Sequence, residues 1–171
     1  MKLSEVLPQL TAPFPPAAHK ERKLPGGGRW FFLSWQMIRH RLNQACPEDW
    51  ECQYSDPVHL GSECVIRCTI TICGISRQAP GSAPIQLLSN EGKDMSRGSP
   101  TERATADAFK NACECFGIGA YLDEQSDDAR AFMIKYLQKS GDGRGVKYAT
   151  ENGWMEGNLR SRPTAGGDRP R

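Results

Sequence analysis

The sequence has no long apolar run and no leader-like opening. Its 171 residues include no stretch of apolar residues as long as the roughly 18 that a membrane-spanning helix needs. The first residues do not form a basic segment followed by an apolar one, so no signal peptide is visible. We therefore expect a cytoplasmic protein that does not enter a membrane.

Residues suited to catalysis and metal binding are also scarce. The chain has three histidines and seven cysteines, with no Cys-x-x-Cys pair and no histidine at zinc-site spacing. We find no nucleophile motif and no carboxylate pattern typical of a metal centre. The sequence predicts a protein that is not an enzyme, with no metal, no cofactor and reduced thiols. An active site of unfamiliar pattern is the open alternative.

Three consecutive glycines, Gly26 to Gly28, raise the question of a phosphate-binding loop. A mononucleotide loop needs a Gly-Lys-Ser/Thr ending and a preceding strand, and the sequence shows neither. We interpret residues 20–28 as a basic, glycine-rich loop that lets the backbone approach a polyanion.

The strongest pattern in the chain predicts a helix over residues 100–116. Ser99 and Glu102 are spaced as a capping box, and Pro100 stands at the first helical position. Gly117 follows the last apolar residue, where helices commonly end. One apolar stripe is expected to face the core, and it contains Ala104, Ala108, Phe109, Ala112, Cys113 and Phe116.

Alternating patterns predict a small sheet. Strands are expected over residues 50–54 and 64–72, with a loop over 79–84 and a weaker third strand over 85–89. The predicted fold is therefore α+β: a three-stranded antiparallel meander packed on the long helix over residues 100–116.

The helical and irregular segments suggest three regions. Apolar spacing predicts helices over residues 1–10, 34–45 and 127–138, and prolines make the segment after the first helix an extended linker. From residue 140 the chain is rich in Gly, Arg and Pro without a period, which predicts disorder. The predicted regions are an N-terminal helix and linker over 1–19, a domain over 20–139 and a tail over 140–171.

Basic residues are concentrated near the N-terminus, with one acid, Glu21, among them. Cations beside aromatic rings are what sites for single-stranded nucleic acid use. The alternative is that the rings belong to the core and the cations to a solvated surface. The cations are Lys20, Arg22, Lys23, Arg29, Arg39 and Arg41, and the rings are those of Trp30, Phe31, Phe32 and Trp35.

Lys110 permits two interpretations as well. It shares the predicted helix with Arg103, Asp107 and Glu114 at intervals of three or four residues. These four side chains could form a ladder of surface ion pairs, each worth about 0.3–0.5 kcal/mol. Alternatively, Lys110 could contact a bound polyanion.

Several separated motifs resemble a known family. The long helix carries Ala-Asp-Ala-x-Lys-x-Ala over residues 106–112 and closes on Phe-Gly-Ile-Gly and an aromatic-Leu pair. Met-Lys-Leu-Ser over 1–4, Ala-Pro-Phe-Pro over 12–15, and Arg-Leu before Cys-Pro-Glu-Asp-Trp over 46–50 add to the match. Residues 1–122 thus resemble the single-strand annealing proteins, which join bacterial DdrA repair proteins to eukaryotic Rad52 recombination mediators. The DdrA branch is the more similar.

The resemblance implies a DNA groove and assembly into rings or helical oligomers. Lys110 matches the first cation of the groove helix, and Lys23 precedes the triple glycine as another groove cation does. Asn111 and Glu114 stand where two further cations would be. Weaker DNA-binding candidates are Arg22, Arg29, Arg97 and Lys20.

The function that the resemblance implies is binding of single-stranded DNA and annealing of complementary strands in recombinational repair. The DdrA branch is also associated with protection of 3′ ends. Such a protein would be nucleoid-associated and could meet other recombination proteins. Two alternatives remain open: an oligomeric structural or interaction protein of the same fold, and an RNA-binding module.

Overall fold

The computed structural model describes residues 1–12, 14–15, 18–24, 29–89, 91–96 and 98–123. This part of the chain has three α-helices and two antiparallel sheets, so the predicted α+β class is confirmed. The elements are, in chain order, α1 (Leu3–Thr11), β1 (His19–Lys23), β2 (Arg29–Leu33), α2 (Trp35–Ala45), β3 (Trp50–Tyr54), β4 (Val58–Leu60), β5 (Glu63–Ile72), β6 (Ile75–Pro84), α3 (Pro100–Glu114) and a 3₁₀ turn (Ala120–Leu122).

The larger sheet has four strands organised around β5, so the predicted three-stranded meander was wrong. β6 pairs with β5 along its whole length, whereas β3 and β4 share the opposite edge, at the C-terminal and N-terminal halves of β5 respectively. Side chains alternate between faces along a strand, and one face of β5 is turned to the core as its sequence predicts. The buried residues of that face are Cys64, Ile66, Cys68, Ile70 and Ile72.

The prediction for residues 79–89 was wrong. The predicted loop over 79–84 is the second half of the strand β6, and the predicted strand over 85–89 contributes only one isolated bridge, from Leu88 to Asp94. Pro80 and Pro84 obscured the strand in the sequence. They are tolerated because β6 lies at the sheet edge, where a missing backbone N–H costs no ladder bond.

Helix α3 covers the buried face of the sheet, as predicted. The Ser99 hydroxyl accepts a hydrogen bond from the Glu102 N–H at 3.1 Å, and the Glu102 carboxylate accepts one from the Ser99 N–H at 2.8 Å. This is the predicted capping box. The helix ends at Glu114, and Gly117 follows with a φ of 85°, which favours glycine. The whole predicted stripe is buried: Ala104, Ala108, Phe109, Ala112, Cys113 and Phe116.

Polar side chains of α3 fasten the helix to β6. The Arg103 guanidinium donates to the Pro84 carbonyl oxygen at 2.7 Å, and the Asn111 amide donates to the Pro80 carbonyl oxygen at 2.8 Å. Asp107 accepts from the backbone N–H of β6 at residue 82. The predicted ladder of surface ion pairs is therefore wrong for Arg103, which serves the backbone of β6.

β1 and β2 pair antiparallel, with Lys20 opposite Phe32 and Arg22 opposite Trp30, and this pair of strands is called the hairpin below. The expectation of a loop was thus wrong for residues 20–23. Their sequence, Lys-Glu-Arg-Lys, lacks the apolar alternation of a strand. Its extended conformation depends on pairing with the aromatic strand β2, which is a tertiary effect that local propensity does not show.

The two N-terminal helices join the same core as the sheet and α3. Helix α1 buries Val6 and Leu10, and α2 buries Ile38, Leu42 and Ala45. Both helices occur where the apolar spacing predicted them. The predicted helix over 127–138 and the tail over 140–171 lie outside the described residues. The predicted region boundaries stay predictions.

In the part of the chain that the structure describes, none of the helices is both long enough and apolar enough to cross a membrane.

Candidate nucleic-acid interface

The hairpin of β1 and β2 has two faces of different character. Phe31, Leu33 and His19 are buried against the core. Residues directly opposite each other on paired strands project to the same side, so Lys20 and Arg22 share the outer face with Phe32 and Trp30. Both cations are exposed and both rings are partly exposed. The outer face thus sets a cation beside an aromatic ring at two successive positions.

The aromatic segment is divided between the two faces of β2. Phe31 is a core residue, as the structural alternative had it. Trp30 and Phe32 lie on the other face of β2. Residues of both faces of β2, Trp30 to Leu33, line a groove of about 110 Å³ between the hairpin and α3. The groove is lined further by Lys110, Asn111 and Glu114 from α3, and by Ile118, Gly119, Leu122 and Asp123 beyond it.

Lys110 lies in the groove and is half-exposed. Its ammonium nitrogen is 3.5 Å from a carboxylate oxygen of Asp107, one turn earlier on α3. An ion pair of this exposure contributes little to stability, and it leaves the cation accessible to a phosphate. Asn111, which stands where the resemblance implies a second cation, is committed to the Pro80 carbonyl oxygen. Helix α3 therefore offers the groove a single cation.

The groove also contains an acidic pair, Glu114 and Asp123. Burial, as the largest cause, together with a hydrogen bond to the Asp123 carboxyl and the charge of that carboxyl, raises the pKa of Glu114 to about 7. Lys110 opposes the shift and Asp107 adds to it. Sequence reasoning noted Glu114 as a missing cation but gave no role to Asp123.

The other candidate cations have different placements. Lys23 is exposed, and the β1 alternation puts it on the opposite side of the strand from Lys20 and Arg22. None of these three β1 cations is among the residues that line the groove. The structure does not describe the side chain of Arg29, and Arg97 lies outside the described residues. No observation tests the assignment of the six candidate cations to DNA binding, so it stays a prediction. The six are Lys20, Arg22, Lys23, Arg29, Arg97 and Lys110.

Two further cations of residues 20–41 stack on aromatic rings. The Arg41 guanidinium lies 3.4 Å from the ring centre of Phe14 and donates to the carbonyl oxygens of Leu10 and Ala12. Its half-burial lowers its pKa. Arg41 thus ties α2 to the end of α1. Arg39 lies 4.6 Å from the ring centre of Trp35.

A second concavity, of about 540 Å³, lies between α2, β3 and the first half of α3. Its lining includes Trp35, Tyr54 and Phe109, with Arg39 and Glu102 among the polar members. The sequence gave no indication of this space, because its residues come from three separate elements.

The cysteines are all free thiols, and Cys46, Cys64, Cys68 and Cys113 are buried. Burial raises the pKa of Cys46, Cys68 and Cys113, to about 12 for Cys68. These thiols therefore stay protonated and unreactive at neutral pH. Among the described residues, no group of three or more His, Cys, Asp or Glu side chains is placed to hold a metal ion.

The chain belongs to the Rad52/22 family of double-strand break repair proteins, whose family description matches residues 2–140. This finding confirms the resemblance that the sequence motifs indicated.

Two relatives carry the name single-stranded DNA-binding protein DdrA. The one from Deinococcus radiodurans is 32% identical over 133 residues, which are 71% of this chain and 56% of that protein. The one from Deinococcus deserti is 33% identical over 131 residues, which are 71% of this chain and 58% of that protein. The chain thus spans a little over half the length of these relatives.

Proposed function

We propose that this chain binds single-stranded DNA in the groove between the hairpin and α3, and that it promotes annealing of complementary strands in recombinational repair. One observation carries the proposal: Trp30 and Phe32 of β2 and Lys110 of α3 line one groove, and Lys20 and Arg22 lie opposite the same two aromatic residues. The family and the names of the DdrA relatives support it.

The contacts would be to the backbone of the strand more than to its bases. Lys20, Arg22 and Lys110 supply charge for phosphates, and Trp30 and Phe32 offer ring faces on which bases of any kind can stack. Binding of this type is independent of sequence and weakens as salt rises, because phosphate neutralisation releases counterions.

Annealing by such a protein requires no covalent step on the strand. A strand held along its phosphates presents its bases to a second strand, and base pairing supplies the free energy. Cofactors and metals have no part in this scheme.

We include self-association in the proposal. No strand of the described part of the chain pairs with the outer edge of β6 or with that of β3 and β4, and open edges are templates for association. Large apolar side chains are exposed nearby, Leu60 by 61% and Leu88 by 55%. Successive copies in a ring or helical assembly would join their grooves into one path for a strand.

The groove assignment is tested by neutral substitutions of single cations. Arg22→Gln and Lys110→Gln are each expected to weaken binding of a labelled oligonucleotide for all sequences alike. Each should also reduce the slope of log affinity against log salt by about 0.7, the value for one lost phosphate contact on a single strand. The measurement is fluorescence anisotropy over a salt series.

Lys93→Gln is the matched control, because Lys93 is exposed and does not line the groove. It should leave affinity and salt slope unchanged. Unchanged binding in the Arg22 and Lys110 variants, with unchanged melting temperature, would remove these residues from the interface. Running the same series with RNA of one sequence separates the RNA-binding alternative.

A further inference from the structure

An apolar arm follows the edge strand β6. The arm comprises residues 85–96, and the structure describes every position of it but one. Its two halves are joined by backbone hydrogen bonds. The Ser89 N–H donates to the Lys93 carbonyl oxygen at 2.8 Å, and the Met95 N–H donates to the Leu87 carbonyl oxygen at 2.6 Å. The arm therefore has a defined shape before it meets any partner.

The arm presents large apolar side chains to solvent. Leu87, Leu88 and Met95 are between 47% and 55% exposed. Single exposed apolar residues are common on protein surfaces, but several of them on one short element usually mark an interaction site. The arm is thus a candidate for docking into an apolar recess.

The concavity of about 540 Å³ between α2, β3 and α3 is such a recess. Aromatic rings line it, and those of Trp35 and Phe109 pack edge to face with their centres 6.3 Å apart. The acid of the lining, Glu102, already accepts from the Ser99 N–H in the capping box. The recess is therefore wide enough and apolar enough to take several leucine-sized side chains.

The arm and the concavity lie on opposite sides of the larger sheet. β3 and β6 pair with opposite edges of β5. The arm continues from β6, whereas Cys52 and Tyr54 of β3 line the concavity. A projection on one side and a recess on the other form a heterologous contact, in which each copy docks on the next. Repetition of such a contact closes into a ring or continues as a helical assembly.

The charges of the two surfaces are complementary. Arg39 lines the concavity with its guanidinium 4.6 Å from the Trp35 ring centre, and it forms no ion pair with a described carboxylate. The arm carries two acids and one base. The Asp94 carboxylate accepts from the Ser96 N–H at 2.8 Å. The other acid, Glu91, is exposed and has no ion pair with a described cation.

We propose that the arm of one copy inserts Leu88 and its apolar neighbours into the concavity of the next copy, with Glu91 beside Arg39. The inference rests on the self-association included in the proposed function and names the contact that produces it. Association removes apolar surface of both copies from water. Because α3 lines the concavity with Phe109 and the DNA groove with Lys110, the contact would also set the spacing of successive grooves.

The test measures dissociation of the assembly on dilution, by sedimentation velocity without DNA. The unaltered chain should form an assembly, and Leu88→Gln should raise its dissociation constant roughly tenfold or more, as expected for a leucine side chain lost from an interface. Ile75→Gln is the matched control and should change nothing, because Ile75 is also exposed but begins β6, at the end away from the arm.

Three outcomes overturn the proposal, provided that the melting temperatures of the variants are unchanged. They are a monomeric unaltered chain at every concentration, an assembly that Leu88→Gln leaves intact, and equal effects of Leu88→Gln and Ile75→Gln.

An exchange of charges tests the pairing of the two surfaces. Arg39→Glu and Glu91→Arg should each weaken the assembly, because like charges then face each other across the contact. An equimolar mixture of the two single variants should recover it, since every arm can then meet an opposite charge. The doubly substituted chain should recover it too. A mixture that stays dissociated contradicts the contact.

Disulfide trapping identifies what occupies the concavity. In Leu88→Cys, oxidation with copper–phenanthroline should join the introduced thiol to Cys52 of another copy, because Cys52 lines the concavity. The exposed thiol of Cys115 is the one that random collisions would trap. Covalent dimers formed through Cys115, without any through Cys52, overturn the proposal.

Binding of a labelled oligonucleotide by the same samples separates this proposal from the function on which it rests. A chain that binds DNA but stays monomeric refutes the contact and leaves the groove assignment standing. An assembly that Leu88→Gln weakens, in a chain that binds no DNA, supports the contact and refutes the proposed function.

Discussion

At the scale of the residue, Tyr121 shows how one hydroxyl joins three segments beside the groove. Its oxygen accepts from the Phe14 N–H at 3.2 Å and lies 2.6 Å from Nε2 of the buried His19. Nδ1 of His19 is 3.1 Å from the Pro15 carbonyl oxygen, which can only accept. The neutral tautomer with hydrogen on Nδ1 satisfies every group, with Tyr121 donating to Nε2. Burial raises the pKa of Tyr121 to about 12, so the phenol stays protonated.

Tyr121→Phe is therefore expected to lower the free energy of unfolding by about 2 kcal/mol, because it leaves a buried N–H and a buried ring nitrogen without their partner. Urea denaturation measures the change. Tyr54→Phe is the matched control, since Tyr54 is 43% exposed and such positions usually change stability by less than about 0.5 kcal/mol. Equal effects of the two variants would contradict the role given to the hydroxyl.

Residues of the candidate site could be predicted only in part. Lys110 was found through the family resemblance, and Lys20 and Arg22 through the local excess of positive charge. The placement of Glu114 and Asp123 in the lining of one groove has no signature in the sequence, because it depends on the path of the chain after α3. The placement of Trp30 apart from Phe31 follows from alternation, but only once β2 is known to be a strand.

At the scale of the element, α3 lies very close to β6 at Gly81. A Cβ on Gly81 would lie 2.5 Å from the Cα of Ala108 and 2.7 Å from the carbonyl carbon of Asp107. The backbone of the helix thus rests on the backbone of the strand. Small residues on both elements, Ala104 and Ala108 on α3 and Ala79 and Ala83 on β6, make this spacing possible.

Gly81→Ala should accordingly destabilise the chain by about 1–3 kcal/mol or more, because the added methyl group forces the helix away from the sheet. The melting temperature and the urea midpoint report the loss. Ser82→Ala, at the neighbouring exposed position of the same strand, should have little effect. A neutral Gly81→Ala would show that α3 and β6 are farther apart than described.

Local signals decided which elements the sequence could predict. Helix α3 has a capping box, a proline at its first position, an apolar stripe and a glycine beyond its end. All of these signals lie within the 19 residues from Ser99 to Gly117. β5 is β-branched and alternating. By contrast, β1 is almost entirely charged, and β6 is built of small residues and proline. The extended conformation of those two strands depends on pairing with β2 and β5 respectively. Such pairing between segments cannot be read from local patterns in a single sequence.

At the scale of the whole molecule, the chain combines one compact core with a groove of mixed charge. Three cations, two partly exposed rings and one carboxyl pair lie in or beside that groove. This composition agrees with the proposal that a strand is held by its phosphates, reversibly and with an affinity that depends on salt. Annealing requires reversible binding, because a strand that is bound too tightly cannot form base pairs along its complement.

The most direct test is the annealing of two complementary, end-labelled oligonucleotides, followed by energy transfer at low and moderate salt with no ATP and no added metal. We expect the chain to accelerate annealing over the protein-free rate, the acceleration to fade as salt rises, and Lys110→Gln to reduce it while Lys93→Gln does not. Tight binding of DNA without faster annealing would point to end protection instead. An annealing rate equal to the protein-free control at every salt concentration would contradict the proposed function.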